Sequence, residues 1–283
     1  MNPIQSAGQF LAAHGRDIDR ARFAYHFGDG TQQEIIRALA PYQNDDGGFG
    51  HALEVDIRAP TSNPFATEIA LLICLQAGIA PTHELLAHTV KYLERSQDAD
   101  GGWRLHPEVF EYELASWFQA WQWPALNPTC TLAGLLKELG LGSPQLHVRA
   151  EALFARMARA EDLLTDDFYS VRPYAYLFLP EHPHPQRELY LSGVLWWLIR
   201  QHAAGTIADG GHFFEYVRGP HTFIGRLLPG AILEQRLDLL AAEQAGDGGW
   251  PSSYDSRWRP WITVQNLLTL QQFGRLAPPS QKD

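Results

Sequence analysis

Three segments of this chain repeat one pattern, Gln-x-x-Asp-Gly-Gly-aromatic, and that repeat limits the possible folds more than any other feature. They are Gln43 to Phe49, Gln97 to Trp103 and Gln244 to Trp250. Paired glycines let the chain reverse with positive φ, the Asp can bond nearby backbone, and the aromatic residue packs on a neighbour. A second pattern accompanies them: Asn63-Pro64-x-x-Thr67, Asn127-Pro128-x-x-Thr131 and Arg259-Pro260-x-x-Thr263, each followed by a Leu pair and then by Gly78, Gly140 or Gly274. Proline suits a first helical position because its missing N–H would be unpaired there anyway, and a glycine in the left-handed region closes a helix. Each unit therefore reads as helix, turn, loop and proline-led helix. Hairpins of about 50 residues cannot bury their apolar faces alone and must stack or close into a ring. The expected fold is all-α, a toroid of helical hairpins forming one domain over residues 1–283.

Composition narrows the function classes. The net charge of -10, with no run of Lys or Arg, argues against a nucleic-acid partner, because phosphate neutralisation needs clustered cations. The longest apolar stretch, Leu189 to Ile199, is too short for a membrane span. Met1 to Phe27 lacks the basic and apolar regions of a signal peptide. Cys74 and Cys130 have no metal-ligand spacing and sit in apolar patterns, so the expectation is a cytoplasmic protein without disulfides. Trp 9, Tyr 10 and Phe 14 suggest a thick core or an aromatic-lined cavity, and hence a small-molecule substrate.

The repeated segments resemble the QW motifs of terpenoid cyclases and the matching turns of protein prenyltransferase β subunits. The stretch from Arg22 to Gly78 is also similar to small bacterial prenyltransferase-like proteins. The resemblance implies an (α/α)6 toroid. It does not carry over the family's chemistry. The Asp-x-Asp-Asp acid of class II cyclases, the Asp-Asp-x-x-Asp of class I synthases, the zinc ligands of prenyltransferases and the Cys-His zinc site of lantibiotic cyclases all lack a match. The segment Asp162-Leu163-Leu164-Thr165-Asp166-Asp167 has the wrong spacing. No metal and no cofactor is therefore expected.

Candidate residues lie in the loops between an aromatic turn and the proline-led helix after it. If those helices form the inner ring, their N-termini share one mouth and favour an anionic group. The first loop offers Glu54 and Asp56 as catalytic carboxylates, with His51 and Arg58 flanking them for substrate binding; a close second carboxylate raises the proton affinity of the first. Its plain alternative is a surface ion pair of Asp56 with Arg58. The second loop offers Arg104, His106 and Glu111, the last at the start of an expected apolar helix, Leu114 to Trp123, where carboxylates also simply complement a helix dipole. The C-terminal loop offers Asp255 as a third catalytic candidate, with Tyr254, Trp258 and Arg259 as a stacking wall that could equally cover the barrel end. His212 and Glu215 are further substrate-binding candidates, within Asp209-Gly210-Gly211-His212-Phe213-Phe214-Glu215-Tyr216, which reads as a decayed turn motif, and Glu181-His182-Pro183-His184 reads as an exposed turn.

Three functions compete. An isoprenoid enzyme would pair acid–base residues at the mouth with aromatics below. A carbohydrate-active α/α barrel would set two carboxylates across an open cleft. A binding scaffold would use the concave mouth without catalysis.

Overall fold

The computed structural model describes residues 2–178, 184–207 and 210–276. The architecture is all-α: α1 (Pro3–His14), α2 (Asp17–Phe27), α3 (Gln32–Leu39), α4 (Pro64–Gln76), α5 (Glu84–Ser96), α6 (Ser116–Gln119), α7 (Leu126–Glu138), α8 (Pro144–Met157), α9 (Phe168–Tyr176), α10 (Arg187–Ala204), α11 (Gly210–Tyr216), α12 (Phe223–Leu227), α13 (Gly230–Ala242) and α14 (Arg259–Gln272). Extended pairing among the described residues is confined to two isolated bridges, Gln43 with Phe49 and Ile57 with Leu114. The chain forms two compact units, one from Leu39 to Tyr190 and one joining residues up to Ala38 with those from Leu191.

Within Leu39–Tyr190 two kinds of helix alternate. In α4 and α7 the first ten residues from Pro64 and from Asn127 are buried almost without a break, on every side of the helix. Helices α5 and α8 bury one stripe each, Leu85, Leu86, Thr89 and Leu93 in the first and Leu146, Ala150, Leu153 and Phe154 in the second. The proline-led helices are therefore the inner members of each hairpin, and the amphipathic ones face solvent. Asn63 caps α4, its Oδ1 accepting the Ala66 N–H at 2.9 Å beside Pro64. Gly78, Gly140 and Gly274, at φ 65°, 68° and 70°, close α4, α7 and α14 as the sequence predicts. At each end the following residue donates back five positions, Ile79 to Cys74, Leu141 to Leu136 and Arg275 to Leu270.

The turn motif is a structural lock, built the same way three times. Gln43 Nε2 donates to Gly47 O and to Leu85 O in α5; Gln97 does the same to Gly101 O and Leu146 O in α8. A Cβ at the positive-φ glycine would lie 2.2 Å from a carbonyl of the helix it abuts, His88 O at Gly47 and Arg149 O at Gly101, so no other residue fits. In the other unit the third copy receives α1: Gln244 donates to Gly248 O and to Pro3 O, and Gly248 abuts Ser6 O. One contact thus joins successive hairpins and also ties α1 to the segment before α14. The motif aromatics Phe49, Trp103 and Trp250 are buried, a contribution of about 1.5–3 kcal/mol each.

Three expectations change. The backbone N–H groups of Phe49 and Trp250 donate to Thr67 and Thr263, but Trp103 N–H donates to Thr129, not Thr131. The second repeat is shifted by two residues because α7 begins at Leu126, and Asn127, with φ -98° and ψ 126°, takes a non-helical conformation inside it. The helix expected from Leu114 to Trp123 shrinks to Ser116–Gln119. Gly210 to Tyr216 is helical rather than a decayed turn, because Phe213, Phe214 and Tyr216 are drawn into the core. Glu181, His182, Pro183 and Asp209 lie outside the described residues.

Candidate functional site

The first loop folds inward because a second segment pairs with it. His51 N–H donates to Ala59 O, closing the loop, with His51 and Ala52 held at φ 55° and 59°. Such values are rare for residues with a Cβ and mark a conformation imposed by its surroundings. Arg58 N–H then donates to Glu113 O and Ala115 N–H to Asp56 O, both at 3.0 Å, on either side of the Ile57–Leu114 bridge. Leu53, Val55, Ile57 and Ala59 are buried, and so are the two carboxylates between them, Glu54 and Asp56, each 8% exposed. Glu54 Oε1 accepts the Asp56 N–H at 3.2 Å. The flanking residues stay outside: Arg58 is exposed, and exposed His51 shares a 2.8 Å hydrogen bond with Asn44 Oδ1.

Beside this turn stands an aromatic cluster that sequence reasoning missed. Ile57 and Ala59 pack with Phe65, Leu105, Val109 and Phe118, and Trp121 and Trp123 join them. Phe118 stacks on Trp121 at 5.5 Å, Trp121 on Trp123 at 6.2 Å, and Phe65 meets both Phe118 and Trp121 edge-on at 4.8 and 5.3 Å. A regular helix from Leu114 to Trp123 would set Phe118 and Trp121 on one face but turn Trp123 away from them. The irregular path after α6 gathers them.

The remaining candidates in this unit point outward. Arg104 donates to Asp98 and Asp100 at 2.6 and 2.8 Å, so its guanidinium is tied to the motif's own carboxylates; the Asp98 hydrogen bond is the chief reason its pKa is raised. His106 is exposed and caps the 3-10 turn Pro107–Glu111, which ends at exposed Glu111.

A second missed feature is Glu68, the single charged residue in α4. It pairs with Arg172 of α9 at 2.7 Å, the two side chains being 8% and 13% exposed. The sequence carried a signal for it, one carboxylate inside the apolar run Pro64-Phe-Ala-Thr-Glu-Ile-Ala-Leu-Leu.

In the other unit, Asp255 Oδ1 accepts the Arg257 N–H at 2.8 Å and its Oδ2 pairs with the Arg257 guanidinium at 2.9 Å. Tyr254 is 45% exposed, with its ring 5.6 Å from that of His212; Glu215 follows on α11. Trp258 leads into α14, and Arg259 forms a two-pronged pair with Asp247 at 2.8 and 2.9 Å while lying 4.6 Å over Phe10. Sequence reasoning also passed over Arg22, fully buried 4.0 Å above the Trp261 ring and pulled down to about 9 by burial. His26, one turn on, is pulled down to about 4, chiefly by burial and further by Arg22.

Fold and site together define an all-α protein of repeated hairpins with a buried acidic turn against an aromatic cluster. No protein-family model matches the sequence. The chain is 33% identical over 110 residues to the drimenyl diphosphate synthase of Streptantibioticus cattleyicolor and 33% identical over 99 residues to that of Streptomyces showdoensis. These matches cover 39% and 35% of the chain but 19% and 16% of the two synthases, so the chain aligns with less than a fifth of either relative. A crystal structure of a protein from Actinoplanes matches over 96% of this chain and 98% of its own, with a TM-score of 0.62 and 15% identity, a likeness of fold. Among the described residues no helix is long and apolar enough to cross a membrane.

Proposed function

We propose that the protein acts as a terpenoid cyclase-like enzyme on an isoprenoid substrate with an anionic head, starting the reaction by proton donation from the Glu54–Asp56 turn. The observation that carries this reading is the burial of both carboxylates on one turn beside Phe65, Phe118 and Trp121. In this reading one of the two buried carboxyls serves as the proton donor, a role that low-polarity surroundings favour. That acid delivers the proton to one carbon of a substrate double bond. The π electrons form the new C–H bond, and the neighbouring carbon becomes cationic. Aromatic faces stabilise a cation within about 6 Å of the ring centroid. Attack by a second double bond closes a ring, and loss of a proton restores neutrality. The names of the two relatives support a diphosphate as the head.

A carbohydrate-active enzyme would set its acids facing one another across a polar cleft. Here the two acids share a single buried turn, which favours the first reading. Asp255 sits on a half-exposed turn paired to Arg257, and the proposal does not draw on it.

The test is to incubate the purified chain with prenyl diphosphates of increasing length and analyse the products, alongside thermal-shift binding of the same compounds and of oligosaccharides. A cyclic product that disappears in Glu54→Gln or Asp56→Asn supports the reading. Stabilisation by oligosaccharides alone, or a product that survives both substitutions, sinks it.

A further inference from the structure

We infer that residues 104–125 form a hinged lid over the Glu54–Asp56 turn, pinned at both roots and latched at its tip. The opening is a property of the fold; that it admits a substrate rests on the preceding proposal.

The three repeats join their motif aromatic to the inner helix by unequal loops, residues 50–63, 104–125 and 251–258. The second is the longest, and its own regular structure is the 3-10 turn Pro107–Glu111 and the four-residue α6. Loops of this length with so little structure of their own are uncommon in compact domains and commonly serve as lids or binding loops. Its two roots meet at one hydroxyl. Thr129 Oγ1 accepts the Trp103 N–H at 3.4 Å and donates to Ala125 O at 2.9 Å. The pairs of Arg104 with Asp98 and Asp100 fix the first root further. Ends held together at the base let the excursion between them move as a body.

The tip is held differently. The hydrogen bonds from Arg58 N–H to Glu113 O and from Ala115 N–H to Asp56 O bracket the isolated Ile57–Leu114 bridge. A single bridge can part without disturbing a longer ladder. The underside of the loop is apolar, with Val109 and Phe118 buried in one cluster with Ile57, Ala59 and Phe65. Its outer side carries the half-exposed rings of Phe110, Tyr112 and Trp117 and the exposed residues Glu108, Glu111 and Glu113. One face is packed and the other is wet, which suits a flap.

Burial makes the movement necessary to the proposed chemistry. In the closed form Glu54 and Asp56 keep little exposed surface, and Ile57 and Ala59 keep none, so a substrate double bond meets the carboxyls only after the cover moves. Opening bares Ile57, Ala59 and Phe65, an apolar floor that an isoprenoid chain can cover in place of Val109 and Phe118. Water cannot do so at equal free energy, which keeps the closed form dominant in the free protein.

Thiol labelling tests the opening without any substrate. The chain carries its own controls, Cys74 in α4 and Cys130 in α7, both free and buried. Val109→Cys adds a thiol beneath the lid. Under native conditions, with an aromatic disulfide reagent in excess, the introduced thiol is expected to react about a hundredfold or more faster than Cys74 and Cys130, which wait for unfolding of the helices around them. The comparison holds even where the substitution weakens the fold, because global unfolding exposes all three. Labelling of the introduced thiol no faster than Cys74 and Cys130 overturns the inference.

A lock tests the consequence. Ile57 and Leu114 face each other at the non-hydrogen-bonded position of the bridge, where Cα atoms come within about 4.5 Å and a disulfide can form. With a prenyl diphosphate that the wild type converts, the double variant Ile57→Cys/Leu114→Cys is expected to lose product formation when oxidised with oxidised glutathione. Reduction with dithiothreitol is expected to restore it. Undiminished turnover with the disulfide formed overturns the lid and leaves the Glu54–Asp56 reading intact. Absence of product in the wild type counts against that reading alone, and the thiol rates then decide the lid.

Discussion

The loop after the first motif and the loop after the third occupy the same place in the repeat, between a buried aromatic and a threonine-bearing inner helix. Their acids nonetheless end in opposite environments. Glu54 and Asp56 are buried because residues 113–115 pair with the backbone of that loop and cover it. Asp255 caps the 3-10 turn Ser256–Trp258 and stays more than a third exposed, paired to its own neighbour Arg257. The motif aspartates differ in the same local way. Asp46 takes the Ser62 hydroxyl at 2.7 Å, Asp100 takes Arg104 and Asp247 takes Arg259. Position in a repeat fixes the backbone, but the segment crossing a loop decides whether its carboxylate is a surface anchor or a buried acid.

The widest gap between the two loops is expected in turnover. With a prenyl diphosphate that the wild type converts, Glu54→Gln or Asp56→Asn is expected to lower kcat about 10²–10⁴-fold, as removal of a general acid does. Asp255→Asn is expected to leave kcat within about threefold. A larger loss at Asp255 than at Glu54 or Asp56 would reverse the comparison.

The motif aromatics test the opposite point, that the two loops share one scaffold. Trp103→Ala and Trp250→Ala each remove a buried ring and its indole hydrogen bond, to Leu93 O or Leu240 O, and are expected to cost about 3–5 kcal/mol in urea unfolding. Unequal losses would show that the repeats are not energetically equivalent.

Acid should separate the regions next. His26, one turn after Arg22 on α2, has a folded pKa of about 4, below its ordinary 6.5. The folded chain thus favours the neutral ring. Its contribution is whole above pH 6.5 and is lost as the pH falls through about 4. The melting temperature should decline over that window and decline less in His26→Gln. An unchanged slope would remove His26 from the account.

The smallest effect concerns the surface pairs. Burial pulls Asp247 upward, but hydrogen bonds from Arg259 and the Gly249 N–H hold it below the usual range. Such exposed pairs contribute little, so Asp247→Asn is expected to cost about 1 kcal/mol or less, and the cost should shrink in high salt. A salt-independent loss of several times that size would mark the turn as more than a surface anchor.

Much of this was legible in the sequence because it is local. The helix starts at Pro64 and at Arg259-Pro260, the caps at Gly78, Gly140 and Gly274, and the three turns each follow from φ preferences and hydrogen-bond needs within a few residues. The first loop stood out because Glu54 and Asp56 are two apart. Arg104 and Arg259 could be picked out but not assigned, because their partners Asp98, Asp100 and Asp247 were already explained as turn residues.

What the sequence determined by itself was the all-α class and the repeated lock, since both depend on periodicity and on glycines that no other residue can replace. Which acids are buried, which rings meet and which threonine receives Trp103 were decided only in the tertiary structure. Burial belongs to pairs of segments distant in sequence, such as 54–58 with 113–115 or α4 with α9, and no local pattern encodes the partner that arrives.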